Sequence, residues 1–248
     1  METVANGYLS AMSVVYQRAA VVIPAHNEAE HLPLCLRAVL TAATRASLPV
    51  SVVAVLDDCD DGTEAAAASF GSAVEVVMTD VGNVGAARAA GFHRARELHP
   101  GGPTWFATTD ADSVVDPDWL VRQLRADADM VLGVVRVSNW RGLPPDVVRR
   151  YLARYRARRH PDGHGHVHGA NMGFRADAYW DVGGFRALPT GEDVDLVDRF
   201  EAASLRIRRD TRLSVATSSR LTGRAPRGFA RHLRDLTDGS PVRVKDSV

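Results

Sequence analysis

The sequence predicts one α/β domain with a mainly parallel, doubly wound central sheet flanked by helices. Short apolar runs of strand length alternate with segments of helical periodicity between Ala19 and Val137. The polar motifs fall where those apolar runs end, which is where ligands sit in such sheets. At 248 residues the chain fits one large domain or a compact core with a small appendage. A chain of this size buries about 70–75% of its unfolded surface, so it needs no disulfide or metal to fold.

The elements follow in order. Ala19 to Pro24 (AAVVIP) reads as a buried strand. Asn27 is placed to cap the next helix, with Glu30 as its capping-box partner and Leu32, Leu36, Val39 and Leu40 as the apolar face. Val50 to Leu56 is a second strand, ended by Asp57-Asp58, and a short helix is expected from Thr63 to Phe70. Val74 to Met78 is a third strand, and Gly85 to His99 a helix with Ala87, Phe92, Ala95 and Leu98 inward. Trp105 to Thr109 is a fourth strand, and Asp116-Pro117 supplies a capping residue and a first-turn proline for another helix. Met130 to Val137 is a fifth strand.

Beyond Val137 the alternation loosens. An arginine-rich helix is expected over Asp146 to Arg159, then a histidine-glycine stretch from His160 to His168. Shorter elements follow near Ala170–Phe174, Arg175–Val182, Glu192–Ser204 and Leu213–Thr217. The break near Val137 divides the chain into an N-terminal extension (1–18), two halves of one domain (19–137 and 138–237), and a tail (238–248).

Composition excludes several classes. With 30 basic and 30 acidic residues the formal net charge is zero, which argues against bulk attraction to nucleic acid or to an anionic membrane and leaves only local patches open. Cys35 and Cys59 make no disulfide framework, and a reducing cytoplasm is the simplest compartment. Residues 1–18 show no signal-peptide pattern, and no run reaches the ~20 apolar residues of a membrane span. No transmembrane anchor is expected, while peripheral contact with a membrane stays open. Lys245 is the only lysine, so clustered arginines carry less weight here than usual.

Thr109-Asp110-Ala111-Asp112-Ser113 places two carboxylates where an apolar strand ends. If the segment stays extended, residues i and i+2 face one side and reach a single hard cation, Mg²⁺ or Mn²⁺. A solvated acidic turn is the competing reading of these residues.

Seven motifs occur in order: VVIPAHNE (21–28), DDCDDGT (57–63), GNVGAARAAGF (82–92), TTDADS (108–113), HGANMGFR (168–175), VGGF (182–185) and GEDVDL (191–196). Together they resemble the family-2 glycosyltransferases with the GT-A (Rossmann-like) fold, over roughly Ala19 to Arg220. The resemblance implies a nucleotide-sugar donor, UDP- or GDP-type, a hydroxyl acceptor, and single displacement with inversion. It implies that Pro24, His26, Asn27 and Glu28 line the nucleotide pocket, that Asp57 or Asp58 contacts the base, and that Arg88 contacts the base or diphosphate. Gly82 and Gly85 would let the backbone turn tightly there, with Arg88 in the first turn of a helix whose N-terminus attracts anions. Asp110 and Asp112, with Ala111 between them, match the metal-binding Asp-x-Asp, and the cation would offset charge on the departing diphosphate. Asp193 matches the general base, and Glu192 is placed to bond the acceptor. Structurally, Glu192 and Asp193 could instead only balance a helix dipole.

Two features stand outside that pattern. The arginines of 146–159 could draw in an anionic acceptor or touch a lipid headgroup, but with arginine replacing lysine throughout and zero net charge they read first as a solvated face. His160, His164, His166 and His168 suggest a metal site or a mobile loop over the active site, with His168 adjoining the HGAN motif. Family relatives often use a histidine downstream of the base as a metal ligand; His232 is the only histidine there, without a matching motif. The absence of Gln-x-x-Arg-Trp argues for one transfer per encounter. Rival readings are a non-catalytic nucleotide-sugar-binding relative, a nucleotidyltransferase, and a dinucleotide oxidoreductase, but PAHNE stands where the last two need a glycine-rich loop.

Overall fold

The computed structural model describes residues 15–138, 140 and 144–217. The chain runs β1 (Arg18–Ala25), α1 (Leu32–Arg45), β2 (Val50–Asp57), α2 (Thr63–Ala68), β3 (Glu75–Thr79), α3 (Val84–Leu98), β4 (Thr104–Thr108) and β5 (Ser113–Val115). It continues through α4 (Trp119–Leu124), β6 (Met130–Val137), α5 (Pro145–Ala157), β7 (Arg159–His160), β8 (Gly163–His164), β9 (Met172–Arg175), α6 (Ala176–Asp181), α7 (Glu192–Ala202) and β10 (Ile207–Thr217). Eight strands form one sheet in the order β3-β2-β1-β4-β9-β6-β10-β5, and β7 pairs with β8 alone.

The first four strands in that order, β3, β2, β1 and β4, are mutually parallel, as their apolar runs and intervening helices predict. Their carboxyl ends therefore share one edge, carrying residues 25–28, 57–58, 79–83 and 108–112. Strand β9 lies antiparallel between β4 and β6, and β5 antiparallel to β10, so the sheet is mostly rather than wholly parallel. Two apolar layers cover its faces: one centred on α1, Trp105 and Trp119, the other on Phe92, Phe106, Phe174, Tyr179 and Phe200. The insertion of β9 is tied down by Asn171. Its amide donates to the carbonyls of Val134 and Leu213 at 2.9 and 3.0 Å, and its Oδ1 accepts from Trp119 Nε1 at 2.9 Å.

Three local expectations are corrected. Asn27 does not cap α1: His31 occupies that position, and Asn27 adopts φ 55° with its side chain turned to Asp60. Asp116-Pro117 does not open α4, which begins at Trp119 after Asp118. Residues 110–113 form a turn, with Ser113 N–H donating to the Asp110 carbonyl at 3.0 Å, so the extended geometry assumed for the two carboxylates does not hold. The 238–248 tail, His232 and most of the 1–18 extension lie outside the described residues.

Candidate active site

The wall of the site nearest β1 and β2 is laced from two loops. Asn27 donates to Asp60 Oδ1 at 2.6 Å, and the Asp60 N–H returns a bond to Asn27 Oδ1 at 2.8 Å. His26 Nδ1 donates to the Asp57 carbonyl at 2.7 Å, and the Glu28 N–H to Thr63 Oγ1 at 2.7 Å. Pro24 is buried at the end of β1, and Glu28 is buried beside His31 at 3.2 Å. These bonds fix the PAHNE and DDCDDGT segments against each other across more than thirty residues of sequence.

Asp57 and Asp58 separate into different roles. Asp57 is buried and accepts from the N–H groups of Val81, Gly82 and Asn83 at 2.8, 3.2 and 3.0 Å, and from Thr79 Oγ1 at 3.1 Å. Its carboxylate is thereby the anchor of the β3–α3 loop. Asp58 is exposed, with a φ of 50°, at the carboxyl end of β2. Gly82 makes the tight turn with φ 57°, while Gly85 is helical. Gly85 is needed for close approach instead: a Cβ there would overlap the Arg186 carbonyl oxygen and lie 3.1 Å from Glu192 Cβ.

Arg88 is the hub. It lies one turn into α3 rather than at its first turn, 2% exposed, and its guanidinium bridges the two acidic motifs. Nη1 donates to Glu192 Oε1 at 2.5 Å and Nη2 to Asp110 Oδ1 at 2.7 Å. The Phe185 ring of VGGF lies under it, 5.5 Å from Cζ. Burial works against the charge, but Asp110, Glu192 and Asp193 outweigh it and raise the Arg88 pKa. Sequence reasoning missed this link because the partners stand 22 and 104 residues away.

Asp193, in the first turn of α7, is held by two backbone donors: Gly169 N–H to Oδ2 at 2.9 Å and Val194 N–H to Oδ1 at 2.8 Å. Burial, reinforced by the neighbouring Glu192 charge, raises its pKa to about 6, against the opposing pull of Arg88 and the two N–H donors. A carboxylate so tuned is ionised at neutral pH and takes up a proton readily. Gly169 serves the same pair: a Cβ there would stand 2.6 Å from Arg88 Nη2.

Asp110 remains 40% exposed beyond its contact with Arg88, and Ala111 is buried under the turn. Asp112 Oδ1 accepts from Thr217 Oγ1 at 3.4 Å. Just before the turn, the hydroxyls of Thr108 and Thr109 are buried with no hydrogen-bond partner among the described residues. Two hard carboxylates on an open turn fit Mg²⁺ or Mn²⁺, which take oxygen ligands and complete their shells from water or phosphate.

The histidine stretch is neither a metal cluster nor an open loop. His164, His166 and His168 are buried and their rings follow one another with centroids 5.6 and 5.5 Å apart, but among the described residues no three or more His, Cys, Asp or Glu side chains are grouped to hold a metal ion. His164 Nε2 donates to the Leu132 carbonyl at 3.1 Å and His166 Nε2 to the Tyr155 carbonyl at 3.0 Å; His164 Nδ1 accepts from the His166 N–H at 3.2 Å, so that ring is neutral, and burial lowers the pKa of both. Tyr155 stacks on His166 at 3.8 Å, and its hydroxyl accepts from the Val135 N–H at 2.8 Å while facing His168 Nε2 at 3.3 Å. His160 alone of the four is exposed.

Fold and site together define an α/β protein with carboxylates gathered at the carboxyl edge of a parallel sheet. The profile of Glycosyl transferase family 2 matches residues 20–183, and the chain belongs to that family, with the GT-A fold. Comparison with curated protein sequences gives no significant match. Among solved structures it is similar to S. aureus TarS 1-349 in complex with UDP-GlcNAc, at TM-score 0.59 and 16% identity over 84% of this chain and 60% of that one. It is also similar to the mannosyltransferase PcManGT from Pyrobaculum calidifontis in complex with GDP-Man and Mn²⁺, at TM-score 0.61 and 18% identity, covering 89% of this chain and 61% of that one. The chain thus spans about three fifths of the length of these two structures.

Proposed function

We propose that this chain transfers one sugar from a UDP- or GDP-type sugar nucleotide to an acceptor hydroxyl, with inversion and with a divalent cation. The observation that carries the reading is the Arg88 bridge, which joins Asp110 of the Asp-x-Asp turn to Glu192 beside the raised-pKa Asp193. Two motifs that look unrelated in sequence thereby meet around one buried cation. Family membership and similarity to nucleotide-sugar complexes support the donor class.

In this reading the 19–137 half binds the donor and the 138–237 half the acceptor. Pro24, His26, Asn27, Glu28 and Asp58 border the nucleotide, while Asp57 acts through the loop it anchors. Asp110 and Asp112 hold the cation, which when bound neutralises charge on the departing diphosphate. Asp193 takes the acceptor hydroxyl proton as that oxygen attacks the anomeric carbon, and the Gly169 and Val194 N–H groups hold the carboxylate in place for it. Glu192, oriented by Arg88, positions the acceptor. A single in-line displacement of this kind needs no covalent enzyme intermediate.

Thermal-shift screening against UDP, GDP and dTDP, with and without Mn²⁺, tests donor and cation together, because a ligand stabilises the native state in proportion to its affinity. One of the three should raise the melting temperature, and more so with Mn²⁺. Turnover of the matching sugar nucleotide, with product anomer assigned by NMR, then tests inversion. A product with the donor's anomeric configuration would rule out single displacement.

A further inference from the structure

Helix α5 has two unlike faces. Val147 and Tyr151 are buried, with Leu152 and Tyr155 partly so, and pack inward. The exposed face carries Arg149, Arg150, Arg154 and Arg156, with Arg158 and Arg159 just past the last turn. At 100° per residue the four helical arginines fall in one outward arc, and Ala153 and Ala157 fill the positions between them. Small residues there leave the guanidinium groups as the outermost atoms of the strip.

Unpaired arginines are concentrated on this helix. Of the sixteen described arginines outside this segment, ten each form an ion pair with a carboxylate, and the six that do not are scattered over the fold. On α5, Arg150 pairs with Asp146 at 2.8 Å, whereas Arg149, Arg154, Arg156 and Arg159 have no carboxylate partner among the described residues. The chain's preference for arginine over lysine accounts for the residue type but not for the missing partners. With a formal net charge of zero, this is a local concentration of positive charge.

We propose that the outward face of α5 docks on the surface of an anionic lipid bilayer. The strip from Arg149 to Arg156 extends for about 10 Å along a convex helix, too long and too open for a single phosphate group, but matched to a planar array of headgroups. Single-stranded nucleic acid needs stacking aromatics, and both tyrosines of α5 face the protein instead. Tyr155 on the inner face meets His166 and His168, so the docking helix packs directly on the segment that leads to Gly169 and Asp193.

Sedimentation of the full chain with phosphatidylcholine vesicles, with and without about a third phosphatidylglycerol, tests the proposal. Binding is expected only to the anionic vesicles, weakening steeply as salt rises. Replacing Arg149, Arg154 and Arg156 by Ala should lower partitioning by about 100-fold, from roughly five-fold per arginine, with an unchanged melting temperature. Replacement of the same three by Lys should retain it. Equal binding to uncharged vesicles, full binding by the Ala variant, or tighter binding to a duplex oligonucleotide at the same ionic strength would overturn it. The measurement involves no sugar transfer, so its outcome is independent of the proposed reaction.

Discussion

Arg88 and Glu192 stand 104 residues apart in sequence and 2.5 Å apart in space, both buried. The same guanidinium reaches Asp110, so the acidic turn after β4 and the start of α7 share one counter-charge. Residues with no catalytic contact of their own, notably Gly169, Gly85 and Phe185, are explained by the room and support they give that arrangement.

Arg88→Met should destabilise the fold by about 3–5 kcal/mol, because it leaves Glu192 buried without its partner. Chemical denaturation at neutral pH measures this. A variant as stable as the wild type would show that the bridge does not hold the site together.

Gly169→Ala introduces a Cβ 2.6 Å from Arg88 Nη2. Overpacking of this kind costs about 1–3 kcal/mol and displaces either the guanidinium or the Gly169 N–H that Asp193 accepts. Transfer should therefore fall more than stability does, with kcat more affected than KM, as steady-state kinetics would reveal.

The histidine column makes the fold acid-sensitive. Burial lowers the pKa values of His164, His166 and His168, with His166 down to about 4. The unfolded rings titrate near 6.5, so stability from the neutral rings is complete above that pH and is lost as pH falls toward 4. Each ring contributes a slope of up to ~1.4 kcal/mol per pH unit in that window. Urea midpoints should fall between pH 6.5 and 4, and less steeply in His166→Gln.

Asp193 acts with the opposite sign. Its folded pKa of about 6 lies above the unfolded value, so its contribution is present at low pH and is lost as pH rises through 6. From pH 4 to 7 the stability of Asp193→Asn relative to the wild type should therefore rise by roughly 1–3 kcal/mol. Paired denaturation curves across that range check the sign; no trend would mean Asp193 has an ordinary pKa.

The sheet's parallel half was legible because each buried strand is a continuous apolar run, and Val50 to Leu56 and Met130 to Val137 need no distant partner to be recognised. The antiparallel entry of β9 was not legible, since it depends on Asn171 meeting Val134 and Leu213 from elsewhere in the chain. Local rules misled where a side chain had a better long-range partner. Asn27 has the residue type of a helix cap but turns to Asp60, and Asp57 binds a loop more than twenty residues on. The histidines resembled a mobile segment because their glycine neighbours hide the alternation that buries three of them, His166 and His168 on Tyr155 and His164 beside His166. The motifs marked the site's residues, but the bridge through Arg88 emerged only from the folded geometry.

The central claim is that Asp193 removes the acceptor proton, and the pH dependence of transfer tests it most directly. With the donor and cation identified, wild-type kcat/KM should rise tenfold per pH unit below about 6 and level off above it, following the ionisation of Asp193. Asp193→Asn should lose about 10²–10⁴-fold in rate at the plateau while still binding the nucleotide. Substantial transfer by that variant, with the same acid limb, would contradict the account.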